Sequence, residues 1–514
     1  MITFRQNNEK SYYEERLVSE NTFIGSEMNL TVLPRFGEIV NKLPEPLWEG
    51  RQKHIECYWK AWEIAFSNLR LPKEGTGFVA PYIDPAFNGC IFMWDSVFML
   101  MFGKYADRIF KFQKTLDNFY SHQHKDGYIC RQIDENSGDD TYTRHDPSST
   151  GPEVMPWCEW DYYMNFGDRE RLKRVFPCLL AYHRWMKEHF TWRDGTYFSS
   201  GYGCGMDNSP RLQEGYHEWF SNGHMVWADS CMQELLSCNT LIRMAKEIGR
   251  GEFTEELSAE SAHLFKVINE TLWDEETNFY YDLWKNGELN GVKHIGSYWA
   301  LLAKCVPEER ADSFIAHLEN EKEFKTDHRI PSLSKDSKGF DEKGRYWRGS
   351  VWSPTNYTVL KGLDGYGKYS LSHRIALNHL DAVVKVFETE NTLFENYAPV
   401  FKDGKPQRGN WSNSDFVGWT GLSPISILFE FVFGIKPDVP NNRIVWNINL
   451  TERHGIEKYP FGKDGELSLI CNKRSSTSEK PEIIAKSNIP VSLEIVWNNG
   501  AERETISLQR QSVH

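Results

Sequence analysis

No apolar run in this sequence is long enough to cross a bilayer, so a membrane-spanning protein is not expected. No lysine- or arginine-rich segment occurs either. The 59 basic residues are outnumbered by 72 acidic ones, for a formal net charge of -13, which argues against nucleic acid or another polyanion as partner. The ten cysteines are scattered from Cys57 to Cys471 without a Cys-x-x-Cys pair. They read as buried free thiols of a reducing compartment rather than a disulfide framework. His-Glu-x-x-His and Cys/His ligand spacing are both missing, so neither a metal nor a cofactor is expected. The acidic run Asp134–Asp140 lacks EF-hand spacing and reads as a solvated turn. Met1–Lys10 is polar and lacks the apolar core of a signal peptide, so a cytoplasmic location is expected.

What the sequence has in quantity is aromatic side chains: 19 Trp, 23 Tyr and 31 Phe. Many stand beside Gly, Asp, Asn or Arg, as in Phe92-Met-Trp-Asp95 and Tyr346-Trp-Arg-Gly349. Apolar faces with adjacent polar hooks suit sugars, which have CH faces and hydroxyl rims. Core packing accounts for part of the same content.

Apolar residues recur at helical spacing from about residue 47 to 433. The pattern predicts about twelve helices, at 47–69, 93–105, 106–122, 153–166, 168–190, 225–249, 253–271, 295–304, 307–320, 351–363, 368–389 and 419–433. Breakers such as Gly167-Asp168, Gly249-Arg-Gly251 and Val306-Pro307 mark short connections between some of them. The remaining connections are long: 70–92, 123–152, 191–224, 272–294, 321–350 and 390–418. Alternating short and long loops place every long loop at one end of six antiparallel hairpins. Such hairpins close naturally into an (α/α)6 toroid, and long irregular loops in a compact domain usually carry function. After about residue 436 the period changes to two, predicting short strands around 443–450, 466–470, 491–497 and 505–508. The expected organisation is a mainly α chain: an N-terminal extension over 1–45, a catalytic (α/α)6 barrel over 46–435 and a small C-terminal β-sandwich-like domain over 436–514. The pattern does not decide whether the first 45 residues add strands, nor the oligomeric state.

The polar-aromatic stretches fall mainly in the long loops. In the third, Gly201-Tyr-Gly-Cys-Gly-Met-Asp-Asn-Ser-Pro-Arg211 presents Asp207 among glycines, with Arg211 as a possible partner; the spacing equally fits a turn-forming Asp. In the sixth, Glu395 lies between Phe394 and Tyr397, and an exposed loop carboxylate fits that position as well. Asp95 and Arg348 can grip sugar hydroxyls between walls of Trp94, Trp347 and Trp352, or pair with each other to hold two helix starts. Two carboxyl groups from different loops meet the needs of glycoside hydrolysis: one protonates the leaving oxygen, the other activates water or attacks the anomeric carbon.

Four stretches, Met93-Trp-Asp-Ser96, Gly205-Met-Asp-Asn-Ser-Pro-Arg211, Tyr346-Trp-Arg-Gly349 with Asn356-Tyr357, and Phe394-Glu-Asn-Tyr397, together resemble the trehalase and glycoside hydrolase family 63 clan, which includes processing α-glucosidases and mannosylglycerate hydrolases. The Gly-Met-Asp-Asn form leans toward family 63. The segment Ser148–Pro156 matches the relatives only loosely. The resemblance implies an inverting α-glycosidase acting on a small α-linked glucoside or related oligosaccharide, with Asp207 as general acid and Glu395 as general base. It also suggests that Trp94, Asp95, Arg348 and Trp419 line the pocket, and the matching stretches extend the expected substrate-binding set to Arg211, Trp347, Gly349, Trp352, Asn356 and Tyr397. Two alternatives are carried alongside it. A sugar epimerase or lyase on the same toroid would use His145, His217 or His224 for proton abstraction. A non-catalytic carbohydrate-binding protein would keep the aromatic walls without needing both carboxylates.

Overall fold

A computed structural model describes residues 13–511; the polar segment Met1–Lys10 lies outside them. Each of the twelve expected helical stretches contains a helix. We number them α1 (Gln52–Ser67), α2 (Met93–Gly103), α3 (Thr115–Ser121), α4 (Met155–Phe166), α5 (Arg169–His189), α6 (Ala228–Ile248), α7 (Thr254–Thr271), α8 (Trp299–Leu302), α9 (Glu308–Ala316), α10 (Ser353–Gly365), α11 (Tyr369–Glu390) and α12 (Ser423–Val432).

Their side chains sort them into two kinds. Every residue of α2 and α12 is buried, as an all-round apolar helix requires. By contrast α7 buries only Leu257, Glu260, Leu264 and Ile268, a single stripe at helical spacing. The buried kind forms a closed cycle of contacts, running α2, α4, α6, α8, α10, α12 and back to α2. Helix α5 packs on α4 and α6, α7 on α6, and α11 on α10 and α12. Left-handed Gly167 and Gly249 end α4 and α6, and the Asp168 side chain caps α5 by accepting from Arg171 N, so sharp reversals follow the chain's own breakers.

Toward the C-terminal halves of the cycle helices lies a buried square of charges. Lys104 Nζ bonds Asp161 at 2.7 Å and Glu430 at 2.9 Å, while Lys361 Nζ bonds the same two at 3.2 and 2.7 Å. Each charge has two opposite partners, which offsets desolvation and ties four elements together.

Two four-stranded sheets complete the chain. In the first, β1 (Glu45–Trp48), β4 (His454–Phe461), β5 (Gly465–Cys471) and β6 (Ile483–Ser487) run antiparallel in that order. In the second the order is β8 (Glu502–Leu508), β7 (Val491–Trp497), β3 (Arg443–Asn447), β2 (Ile435–Asp438), with β7 and β3 parallel. Strand β1 straddles the expected boundary at 45/46, so the segment before α1 joins a sheet made otherwise of C-terminal strands. Period-two patterning missed β4 because Gly455, Pro460 and a bulge between Ile456 and Tyr459 interrupt it. All ten cysteines are buried and free. No helix among the described residues is long and apolar enough to cross a membrane.

Candidate active site

A cavity of about 640 Å³ opens at the N-terminal ends of the cycle helices. Five of the six long loops supply its wall; the exception, 272–294, contributes no lining residue. Trp94, Asp95, Asp207, Trp347, Glu395 and Trp419 all line it.

Asp95 sits in the first turn of α2, whose start is fixed by Met93 N donating to Arg131 O at 2.8 Å. It is buried, and its Oδ1 has no hydrogen-bond partner. Burial, and then the Glu395 carboxylate, push its pKa well above the usual carboxylate range. Trp94, also buried, leaves its indole N–H unpartnered. An acceptor and a donor left unmet at a cavity wall are ready-made contacts for hydroxyl groups.

Asp207 is delivered by a tightly folded loop. A helical turn at Gly201–Cys204, capped by the Ser200 hydroxyl, ends at left-handed Gly205. A Cβ at Gly201 would run into the Asp207 carbonyl, and one at Gly205 would press on the Trp94 ring. Asn208 ties this loop to the fifth, accepting from Trp347 N at 2.8 Å and donating to Arg345 O at 3.2 Å. Desolvation lifts the Asp207 pKa to about 7, against the pull of Arg131 and with help from Glu395.

Glu395 is held differently. Its Oε1 accepts from Tyr346 Oη at 3.0 Å, and its Oε2 from Asn413 N at 3.2 Å and Asn413 Nδ2 at 2.8 Å. Burial raises its pKa, while the Asn413 and Tyr346 bonds favour the ionised form. Trp419 Nε1 donates to the Glu395 carbonyl at 3.0 Å. Tyr346 itself has φ 60°, a conformation uncommon for a bulky side chain. Replacing it by Phe removes one donor from the carboxylate. The Glu395 carboxyl is therefore expected to titrate at higher pH in Tyr346→Phe than in the wild type, read by NMR; an unshifted titration would show that the Tyr346 bond does not favour the carboxylate.

Six of the residues expected as substrate contacts do not line the cavity; five are buried away from it and Arg348 faces a separate one. Arg211 is fully buried and grips Asp229 at 2.7 and 2.8 Å and Asp282 at 2.8 and 2.5 Å. Its guanidinium also lies over Trp227 at 4.2 Å, so it anchors the Asp207 loop to the start of α6. Trp352 is covered by Trp347, stacked on it at 4.1 Å. Arg348 pairs with Glu218 at 2.5 Å and borders a separate surface cavity. Gly349 has φ 131°, and a Cβ there would press on Phe340. Asn356 brackets Ile330, accepting from its N–H at 3.0 Å and donating to its carbonyl at 3.3 Å. The Tyr397 hydroxyl accepts from Phe394 N at 3.2 Å. Motif membership marks these residues, but only three-dimensional packing tells wall from support.

Other residues of the wall lie outside the expected set. Tyr346 belongs to one of the motifs and lines the cavity. Arg131 donates to Ser148 O and Tyr142 Oη and lies over Tyr142 and Tyr202. Trp219, Trp411 and Asn413 complete the wall, and Phe87 and Trp411 remain roughly half exposed. The run Asn410-Trp-Ser-Asn413 has the same polar-aromatic character as the chosen motifs and carried the missed signal. No histidine lines the cavity among the described residues; His145, His217 and His224 are exposed.

Residues 91–420 match the mannosylglycerate hydrolase MGH1-like glycoside hydrolase domain. A mannosylglycerate hydrolase of Thermus thermophilus is 26% identical over 395 residues, 64% of this chain and 93% of that protein. A probable mannosyl-oligosaccharide glucosidase of Schizosaccharomyces pombe is 24% identical over 287 residues, 49% of this chain but only 34% of that longer protein. Among solved structures, a family 63 mannosylglycerate hydrolase of Thermus thermophilus in complex with glucose superposes with a TM-score of 0.57 at 22% identity, covering 72% of this chain and 99% of that one. That likeness speaks for the fold.

Proposed function

Because the chain belongs to the MGH1-like glycoside hydrolases of family 63, we propose that it is an inverting hydrolase of a small α-linked glucoside or the corresponding mannoside. Asp207 is the general acid and Glu395 the general base. The closed helical cycle is read as an (α/α)6 toroid, and the two sheets as a β-sandwich-like domain built on 436–514 with the strand at 45–48.

The observation that carries the assignment is the different hydrogen bonding of two carboxyl groups in one cavity. Burial raises both, Asp207 to about 7, but three donated hydrogen bonds favour the ionised form of Glu395. In the reaction Glu395 takes a proton from water as its oxygen bonds to the anomeric carbon. The bond from that carbon to the leaving oxygen breaks, and Asp207 protonates the departing group. Asp95 and the Trp94 N–H meet sugar hydroxyls, and the Trp347 and Trp419 rings cover the sugar's apolar face. An epimerase or lyase would use His or Tyr as a base beside a sugar C–H; His145, His217 and His224 do not line the cavity, and Tyr346, one of the wall tyrosines, is engaged with Glu395.

The proposal fixes the pH dependence. Asp207 must be protonated, so kcat/KM falls as pH rises through about 7. Glu395 must be ionised, so activity also falls as pH drops through a value above the ordinary glutamate range. A bell with its alkaline limb near neutrality is expected; a profile flat from pH 6 to 9 would remove Asp207 as the acid. Proton NMR of the first products from a panel of α-linked disaccharides and glycosyl-glycerates tests the stereochemistry. Initial β-anomer supports inversion and names the sugar, and initial α-anomer would make Glu395 a nucleophile.

A further inference from the structure

A second cluster of reactive groups lies outside the cavity, where α5, α6 and α7 meet the chain just before α4. His183 comes from α5, Glu234 and Cys238 from one face of α6, Glu260 from α7, and Glu153 follows the wall residue Pro152. All five are more than nine-tenths buried. We propose that His183 Nε2, Cys238 Sγ and Glu260 Oε2 form a binding site for a zinc-class divalent cation.

The imidazole is oriented for this. Its Nδ1 lies 2.6 Å from Glu153 Oε2 and 3.2 Å from Glu234 Oε2. The 2.6 Å separation is a charge-assisted hydrogen bond in which Nδ1 donates. Nε2 faces Glu260 Oε2 at 3.3 Å and Cys238 Sγ at 3.5 Å, and a cation bound there takes the place of any proton on Nε2. The 3.3 Å separation is long for an N–H···O hydrogen bond, and both distances suit the edges of a ligand tetrahedron. Ordinary zinc–nitrogen, zinc–oxygen and zinc–sulfur bonds at tetrahedral angles put N and O about 3.4 Å apart, and N and S about 3.6 Å apart. The three ligand atoms all lie within 4.8 Å of one another.

The surroundings follow the same logic. A ligating imidazole commonly donates its other N–H to a carboxylate, which fixes the ring and strengthens it as a donor; Glu153 is that carboxylate. Glu260 Oε1 is occupied by the Tyr197 hydroxyl at 2.5 Å, which turns Oε2 inward. Lys187 Nζ, half exposed and 2.9 Å from the same Oε2, has solvent into which to withdraw when a cation enters. Independently, the cluster holds more acceptors than donors. Glu153 Oε1 and Glu234 Oε2 are buried without a hydrogen-bond partner, an excess that a cation relieves. Thiolate, imidazole and carboxylate together favour zinc over calcium or magnesium, which prefer all-oxygen sites. The sequence gives no sign of the site because its ligands are spread over three helices. Gly151 and Pro152 line both the active-site cavity and a small void beside Gln233 and Glu234, so the ion would brace one wall of that cavity from behind.

The test uses the full chain without a histidine tag. It is stripped with a chelator, then titrated with Zn2+ while the metal is counted by mass spectrometry, and separately with Co2+ while absorption is followed. The proposal expects about one equivalent of metal and a thiolate-to-cobalt charge-transfer band in the near ultraviolet. Cys238→Ser, a conservative change, should abolish the band, and His183→Gln should weaken binding by well over about tenfold. Failure of the wild-type chain to retain metal at saturating zinc would overturn the proposal, as would a cobalt band unchanged in Cys238→Ser.

Discussion

Asp207→Asn and Glu395→Gln should each lower kcat on an unactivated α-glycoside by about 10²–10⁴-fold, the usual contribution of a positioned acid or base, with KM changed far less. The two variants should separate when the leaving group is varied. An aryl glycoside whose phenolate departs unaided does not need Asp207, so Asp207→Asn should recover most of its activity there. Glu395→Gln should not, because water still has to lose a proton. Equal losses on both substrates would refute this division of labour. The same variant should reveal what the acid imposes on the fold. A carboxyl whose folded pKa is raised to about 7 has its charged form disfavoured by the native state. The wild-type chain therefore loses stability as pH rises from the ordinary carboxylate range, near about 4, through about 7, whereas the Asn variant does not. Asp207→Asn is expected to melt above wild type at pH 8, with the difference vanishing below about pH 4. Coincident melting curves at pH 8 would mean that Asp207 is not desolvated.

The second large effect concerns Arg211. Its guanidinium is the shared partner of Asp229 and Asp282, and all three side chains are almost fully buried. Burial alone raises the Asp282 pKa, yet Arg211 and then His294 bring it well below the usual carboxylate range. Arg211→Leu leaves two carboxylates without their common cation, a change worth about 3–5 kcal/mol of stability, to be read from urea unfolding at pH 7. The loss should shrink as pH falls and the stranded carboxyls take up protons. It should also be partly recovered in Arg211→Leu with Asp229→Asn and Asp282→Asn, since the three residues act as a unit. A loss below about 1 kcal/mol would show that the triad is dispensable and return Arg211 to the substrate contacts.

The charge square of Lys104, Asp161, Lys361 and Glu430 and the Arg211 triad were both illegible in the sequence, and for one reason. Lys104 and Glu430 lie 326 positions apart, and nothing local to either distinguishes it from a surface residue. The helices were legible because their signal is local: apolar spacing in α7, Gly167 and Gly249 as stops, Asp168 as a cap. Asp207 and Glu395 were legible as candidates because they stand in motifs shared with a family, in loops that helix patterning had already set apart. Arg131 and Asn413 were not, since an Arg or Asn in a long loop becomes a wall residue only through the way neighbouring loops fold over it.

The sequence by itself therefore determined the helix content, the change to strands near residue 436 and the long loops that line the cavity, each from periodicity or composition within a few residues. Asp207 and Glu395 were singled out by motifs shared with a family. Only the tertiary structure decided that Trp347 is wall and Trp352 support, that Arg211 anchors a loop, that β1 joins a sheet of C-terminal strands, and that Asp207 and Glu395 face one cavity with different hydrogen-bond partners. Those outcomes depend on desolvation and on partners distant in the chain, which are set by how the elements pack and not by the residues that flank each one.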